Sequence, residues 1–117
     1  MGFMDELGVE VDDAEEGRSR IRLEAGDRHL NPAGTVHGGA IATLVDTAMG
    51  AAVKTTGDGS TATIELKVTY LEPVQPGAVV VEAQVRKRGR RITIVEAEVW
   101  QEDELVAHGI GTFTSAN

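Results

Sequence analysis

A chain of 117 residues is long enough for one domain with a sizeable core, with a good deal of surface for its volume. Nineteen acidic against 11 basic residues leave a net charge of −8, which disfavours nonspecific contact with nucleic acid or anionic membrane surfaces. The absence of cysteine excludes disulfides, a thiol nucleophile and thiolate metal ligands. Met1 to Gly8 carries Asp5 and Glu6 where a secretory leader would be positive and then apolar, and no apolar run reaches the length of a membrane span. The expectation is a soluble, cytoplasmic protein without a membrane or nucleic-acid partner.

In chain order, Met4 to Leu7 reads as a short turn of helix. Val9 and Val11 alternate with Glu10 and Asp12 as in a half-buried strand, and Ala14 to Gly17 reads as a turn. Ile21, Leu23 and Ala25 alternate with Arg20, Arg22 and Glu24, so the two runs form a hairpin. Gly26 to Gly34 is a polar loop with His29, Asn31 and Pro32 on the way to a helix. His29 and His108 read as surface or strand residues, and three scattered histidines offer no metal-ligand spacing.

The stretch that follows organises the rest. From Gly38 to Val53 the only charge is Asp46, so a helix here is apolar on nearly every side and belongs inside a wrapping layer. A carboxylate on such a helix is costly unless it is paired, hydrogen-bonded or protonated, and its placement there calls for an explanation. At the other end, His37-Gly38-Gly39 opens the helix, where free N–H groups and the positive dipole end point at whatever sits there. Gly57-Asp58-Gly59 ends the helix near Thr55. Four alternating runs follow: Thr61 to Leu71, with Ile64, Leu66, Val68 and Tyr70 on one face, then Ala78 to Arg88, Arg91 to Gln101 and Glu104 to Thr114. Short connections at Gly89 and at Glu102-Asp103 make the last three an antiparallel meander. The expected architecture is a single α+β domain over residues 1–117, one long central helix wrapped by a curved antiparallel sheet.

That element order resembles the hotdog-fold acyl-CoA thioesterases of the PaaI-like, phenylacetic acid degradation-related group. The motif Asn31-Pro-x-Gly-x-x-His37-Gly38-Gly39 and an Asp eight residues after Gly38 carry the resemblance. Thr69-Tyr70-Leu71-Glu72-Pro73, Gly77 and Gly109-x-Gly111-Thr112 extend it over about Leu7 to Thr114. It implies hydrolysis of an acyl-CoA to a carboxylic acid and free CoA, with CoA entering as part of the substrate and no separate cofactor. The acyl group is left open between phenylacetyl-type aryl and medium or long aliphatic chains.

A thioesterase must polarise a carbonyl, hold the oxyanion and present a nucleophile. The Gly38 N–H, with Gly39 beside it, is the candidate oxyanion donor, and a larger residue than glycine would stand in the carbonyl's way. Asp46 is the candidate general base toward water or, alternatively, the direct nucleophile. The resemblance adds Asn31 and His37 at the carbonyl end and Thr63 as the hydroxyl that positions water. Arg86, Lys87, Arg88, Arg90 and Arg91 form the one basic cluster of an acidic chain, a candidate seat for the CoA phosphates. Each has a structural alternative: Asp46 as a hydrogen-bonding helix residue, His37 as a helix cap, Asn31 as a turn former, the glycines as packing sites, the basic turn as a solvated hairpin tip. Eight helical residues rise about 12 Å, too far for Asp46 to reach a carbonyl held at Gly38 of the same helix. Two copies with antiparallel helices resolve this, so the expected active unit is a homodimer, with a dimer of dimers implied by the resemblance. Two rival functions remain open, a noncatalytic acyl-CoA-binding module and a hotdog dehydratase or hydratase.

Overall fold

The computed structural model describes residues 2–117; Met1 lies outside the described residues. Its elements are α1 (Phe3–Leu7), β1 (Val9–Glu15), β2 (Arg18–Ala25), a 3-10 turn (Asp27–His29), α2 (Gly38–Lys54), β3 (Thr63–Tyr70), β4 (Gly77–Arg88), β5 (Ile92–Gln101) and β6 (Glu104–Thr114). The six strands form one sheet in the order β1-β2-β4-β5-β6-β3, every neighbouring pair antiparallel. This is the hotdog architecture expected from the sequence, with α2 as the filling and β1 and β3 as the two edges.

Local chemistry accounts for the turns. β1 runs to Glu15, two residues into the stretch read as a turn, because Glu16 and Gly17 alone reverse the chain at φ 51° and 76°. Glu102, at φ 55°, does the same between β5 and β6.

Helix α2 buries Ile41, Leu44, Val45, Ala48, Met49, Ala52 and Val53 against inward residues of the sheet, among them Ile21, Leu23, Val79, Val81, Val95, Val99 and Phe113. The expectation of an all-round buried helix is corrected here. Thr43, Asp46, Thr47 and Gly50 stay partly exposed and Gly39 is exposed, so one stripe of α2 has no cover within the chain.

Two features of the sheet set where that helix sits. Gly109 and Gly111 face it from β6; a Cβ on Gly109 would lie 2.6 Å from Val45 Cγ1, and one on Gly111 2.7 Å from Met49 Sδ. Their missing side chains let α2 rest on the strand backbone. The other feature is a bulge in β3. Thr63 pairs with Phe113 and Glu65 with Thr112, leaving Ile64 as an extra residue. Across the bulge the alternation slips, so Thr63 joins Leu66, Val68 and Tyr70 on the helix side while Ile64 leaves the face assigned to it by simple alternation, and is 56% exposed.

Gly109→Ala is expected to cost about 1–3 kcal/mol, because the stiff, β-branched Val45 cannot move aside. Urea denaturation of the variant beside the parent protein measures it.

Candidate active site

Two groups of polar residues flank the open stripe of α2. The first is at mid-helix. Thr63 Oγ1 donates to Asp46 Oδ1 at 2.6 Å, a contact made possible by the β3 bulge. Asp46 is thereby oriented from one side, and its second carboxylate oxygen has no hydrogen bond among the described residues. Asp46 is partly exposed, facing the stripe of α2 that the chain leaves uncovered.

The second group surrounds the start of α2. His37 is the N-cap residue, and its Nδ1 accepts from the Gly39 N–H at 2.9 Å. An accepting Nδ1 places the neutral imidazole's proton on Nε2, which leaves an exposed N–H donor at the helix mouth. The Gly39 amide, the expected second oxyanion donor, is therefore occupied by His37. The Gly38 N–H has no partner among the described residues and remains available. A Cβ on Gly38 would meet only the Tyr70 ring, at an ordinary 3.5 Å, whereas one on Gly39 would press to 3.2 Å on His37 Nδ1. The tighter of the two positions is thus Gly39, where an added side chain would press on the capping imidazole.

Asn31 shapes the approach to this helix. Its Oδ1 accepts from the N–H groups of Ala33 and Thr35, and its Nδ2 donates to Thr35 Oγ1 at 2.9 Å. One amide hydrogen is left without a partner among the described residues. The loop is fixed at its far end by the Leu30–Val36 bridge and by the Val36 N–H donating to Val74 O.

Tyr70 entered the sequence reading as a packing position of the strand and as part of the Thr69-to-Pro73 resemblance, without a role at the site. Its phenol donates to Gly38 O at 2.8 Å, tying the end of β3 to the first turn of α2. The available signal was its type, the single tyrosine of a chain with 3% aromatics; in the fold it is 52% exposed. His29 also departs from the reading as a surface residue. It is 5% exposed in the 3-10 turn, with Nδ1 accepting from the Gly26 N–H and Nε2 2.7 Å from Leu7 O.

The basic turn divides into two kinds of cation. Arg88 folds back along the surface, donating to the carbonyls of Thr56 and Ala116 and to Asn117 Oδ1 just beyond the C-terminal end of α2. Arg86 lies 3.6 Å from Glu96. Lys87, Arg90 and Arg91 are exposed, and no ion pair engages them among the described residues. The turn sits at the same end of the molecule as Thr63, since Thr61 donates to Thr114 O and Ile92 pairs with Thr114.

Gly38 and Asp46 are thus the two ends of a helix segment, each equipped for one half of a hydrolytic reaction. The profile of the Thioesterase superfamily matches residues 33–108, which contain the helix start, Asp46, Thr63 and the first strand-β6 residues. The chain belongs to the thioesterase superfamily. A Halobacterium salinarum protein that carries the provisional name of an esterase is 37% identical over 105 residues, covering 84% of this chain and 69% of that protein. The Listeria monocytogenes 1,4-dihydroxy-2-naphthoyl-CoA hydrolase is 27% identical over 106 residues, covering 89% and 86%. Among solved structures, a point mutant of the phenylacetic acid degradation protein PaaI from Thermus thermophilus superposes with a TM-score of 0.91 at 30% identity, covering 96% of each chain. Membership makes this chain a thioester hydrolase. Among the described residues no helix is long and apolar enough to cross a membrane.

Replacing His37 separates its cap from its free Nε2–H. His37→Ala is expected to lower stability by about 0.5–2 kcal/mol. His37→Asn, which keeps a cap acceptor, is expected to restore most of that stability without restoring turnover. Thermal unfolding and a thiol-release assay on the same samples read the two effects.

Proposed function

We propose that this thioesterase hydrolyses acyl-CoA esters at a site shared by two copies of the chain, Gly38 of one copy facing Asp46 of the other. The observation that carries this reading is the separation of the Gly38 amide from the Asp46–Thr63 pair along one rigid helix, about 12 Å at 1.5 Å per residue. Neither half acts alone on one carbonyl. An antiparallel partner helix laid along the open stripe of α2 supplies the missing half to each copy and gives two equivalent sites.

The strand edges favour the same arrangement. Edge β1 presents Glu10, Asp12, Asp13 and Glu15 and is interrupted by a bulge between Val11 and Asp13, features that discourage pairing. Edge β3 exposes Ile64 and Tyr70, with Leu71 just beyond, and alternates Glu65 with Lys67 on its outer face. Two β3 strands joined antiparallel about Leu66 would set Glu65 opposite Lys67 of the partner subunit, a favourable cross-strand pair, and bring the Thr63 end of one beside the Tyr70 end of the other.

In the proposed reaction the thioester oxygen accepts from the Gly38 N–H at the positive end of α2, with His37 Nε2–H beside it. Asp46, held by Thr63, takes a proton from water as the water oxygen bonds to the carbonyl carbon. The tetrahedral oxyanion collapses, the carbon–sulfur bond breaks, and the CoA thiolate leaves and is protonated. The products are a carboxylic acid and free CoA. The remaining amide hydrogen of Asn31, without a partner among the described residues, serves to orient water or the carbonyl. Direct attack by Asp46 to give a mixed anhydride is the second reading of the same geometry.

Subunit complementation tests the shared site. Asp46→Asn is expected to lower turnover by about a hundredfold or more. Gly38→Pro removes the oxyanion N–H at a helix position that tolerates proline. Co-expressed, the two variants form mixed dimers with one intact site, and random assortment restores about a quarter of parental activity. Continued inactivity of the mixture, with mixed dimers verified by mass, would place the site within one chain and overturn the proposal.

For the nucleotide, the exposed cations Lys87, Arg90 and Arg91 are the proposed phosphate contacts, and Arg88 is the clamp that holds their turn. Arg90→Ala is expected to raise KM for CoA esters and to spare the matching pantetheine ester. Arg88→Ala is expected to lower the melting temperature instead. Equal KM changes on both esters for Arg90→Ala would remove that residue from phosphate binding.

A further inference from the structure

Behind the basic turn runs the segment Ser115–Asn117, and it takes up the main-chain carbonyls of that turn one after another. Ser115 Oγ donates to Gly89 O at 2.6 Å, Asn117 Nδ2 to Arg90 O at 2.7 Å, and the Ser115 N–H to Arg91 O at 2.9 Å. Ile92 O, the next in line, accepts from the Gly89 N–H at 2.8 Å and closes the turn. The segment itself is firmly held. Ser115 is 7% exposed and Ala116 is fully buried, Thr93 Oγ1 lies 2.8 Å from Ser115 Oγ, and Arg88 reaches Ala116 O and Asn117 Oδ1. Gly57 and Gly59 make room for it: a Cβ on Gly57 would run into the Ala116 carbonyl, and one on Gly59 into the Asn117 carbonyl.

Peptide planarity fixes the other side of the turn as well. The C=O and N–H of a trans peptide point in opposite directions, and no peptide bond among the described residues is cis. With Gly89 O and Arg90 O drawn toward the segment, the N–H groups of Arg90 and Arg91 point away from it, and neither has a partner among the described residues. Acceptors are used up on one face of the turn and donors stay free on the other. Lys87, Arg90 and Arg91, exposed and without an ion pair among the described residues, flank these amides in the chain. Successive free amides among cations suit an anion.

We infer that the Arg90 and Arg91 N–H groups bind a phosphate of CoA beside these cations, and that Ser115 and Asn117 are the positioning residues that hold the turn in its binding conformation. The inference rests on the acyl-CoA reading above, and adds main-chain donors and a positioning segment to it. Lysine and arginine side chains keep many rotamers and by themselves set no fixed geometry. The two amides do. A loose turn loses conformational freedom when an anion arrives, whereas a turn already held by its carbonyls has little left to lose. Hydrogen-bonded to the segment, those carbonyls also keep their partial negative charge away from the incoming phosphate.

The test uses the full chain, with CoA and pantetheine as probes, and its binding arms need no turnover. Amide resonances are followed as each probe is added, and affinities are measured by calorimetry for the parent protein, Arg90→Ala, Asn117→Ala and Ser115→Ala. The Arg90 and Arg91 amide protons are expected to move downfield with CoA and to stay in place with pantetheine. Asn117→Ala, at an exposed position, is expected to weaken CoA by about threefold to tenfold and to leave pantetheine unchanged, and Ser115→Ala to follow it. In a thiol-release assay Asn117→Ala is expected to raise KM for a CoA ester and to keep kcat, a split that a general loss of structure does not give. Amides that ignore CoA overturn the inference, as does equal weakening of CoA and pantetheine by Asn117→Ala. So does Asn117→Ala with parental affinity for CoA where Arg90→Ala binds it more weakly; in that case the side-chain phosphate contacts stand without the segment. Undiminished CoA affinity in Arg90→Ala removes the phosphates from this turn, and the inference with them.

Discussion

An α-helix is a ruler, and the distance it imposes between Gly38 and Asp46 governs the rest of this molecule. At 1.5 Å per residue the two cannot be brought closer without breaking the backbone hydrogen bonds that make the helix. The sheet reinforces the spacing. Tyr70 grips the Gly38 end from one end of β3, Thr63 grips Asp46 from the other, and both contacts come from a single edge strand. A chain built this way holds the Gly38 amide and the Asp46 carboxylate as fixed as the helix itself, and leaves the stripe between them open.

The groups around the opening are held by polar contacts that serve the scaffold and orient the site together. His37 spends Nδ1 on the Gly39 amide and by doing so directs a protonated Nε2 outward. Asn31 folds its own loop with three hydrogen bonds and keeps one donor. Arg88 binds the Thr56 carbonyl just beyond the C-terminal end of α2 and fixes the turn from which Lys87, Arg90 and Arg91 project. In each case the structural contact uses some atoms of the side chain or turn and leaves others free, so the structural role does not exclude the proposed functional one.

Packing decides where the ruler lies. Gly109 and Gly111 bring the β6 backbone against Val45 and Met49, which lowers α2 into the sheet and sets Asp46 level with Thr63. The bulge at Ile64 is the complementary adjustment on the edge strand, turning Thr63 inward without moving the apolar residues that follow. Edge β1, with its acidic side chains and its own bulge, is chemically unlike β3, and the contrast gives the sheet one closed edge and one edge open to pairing.

The sequence by itself determined the order of elements, the extent of the central helix, the meander of β4, β5 and β6, and the motif that places the chain among thioesterases. These follow from periodicity, turn chemistry and a short run of residues at fixed spacing, all of which are local. The 12 Å separation was equally legible, because it needs only the rise of a helix, about 1.5 Å for each of eight residues. Only the tertiary structure decided which atoms of the site are free. That Gly39 is capped, that Thr63 faces the helix, that Tyr70 and His29 brace the helix mouth, and that Arg88 folds back onto Thr56 and the C-terminus depend on which atoms the fold brings within reach of one another. A single-residue bulge puts Thr63 on the helix side in place of Ile64 while Leu66, Val68 and Tyr70 keep their face, and nothing in the alternation of Thr61 to Leu71 announces it. Side-chain direction at such positions is settled by the neighbours brought alongside in the fold.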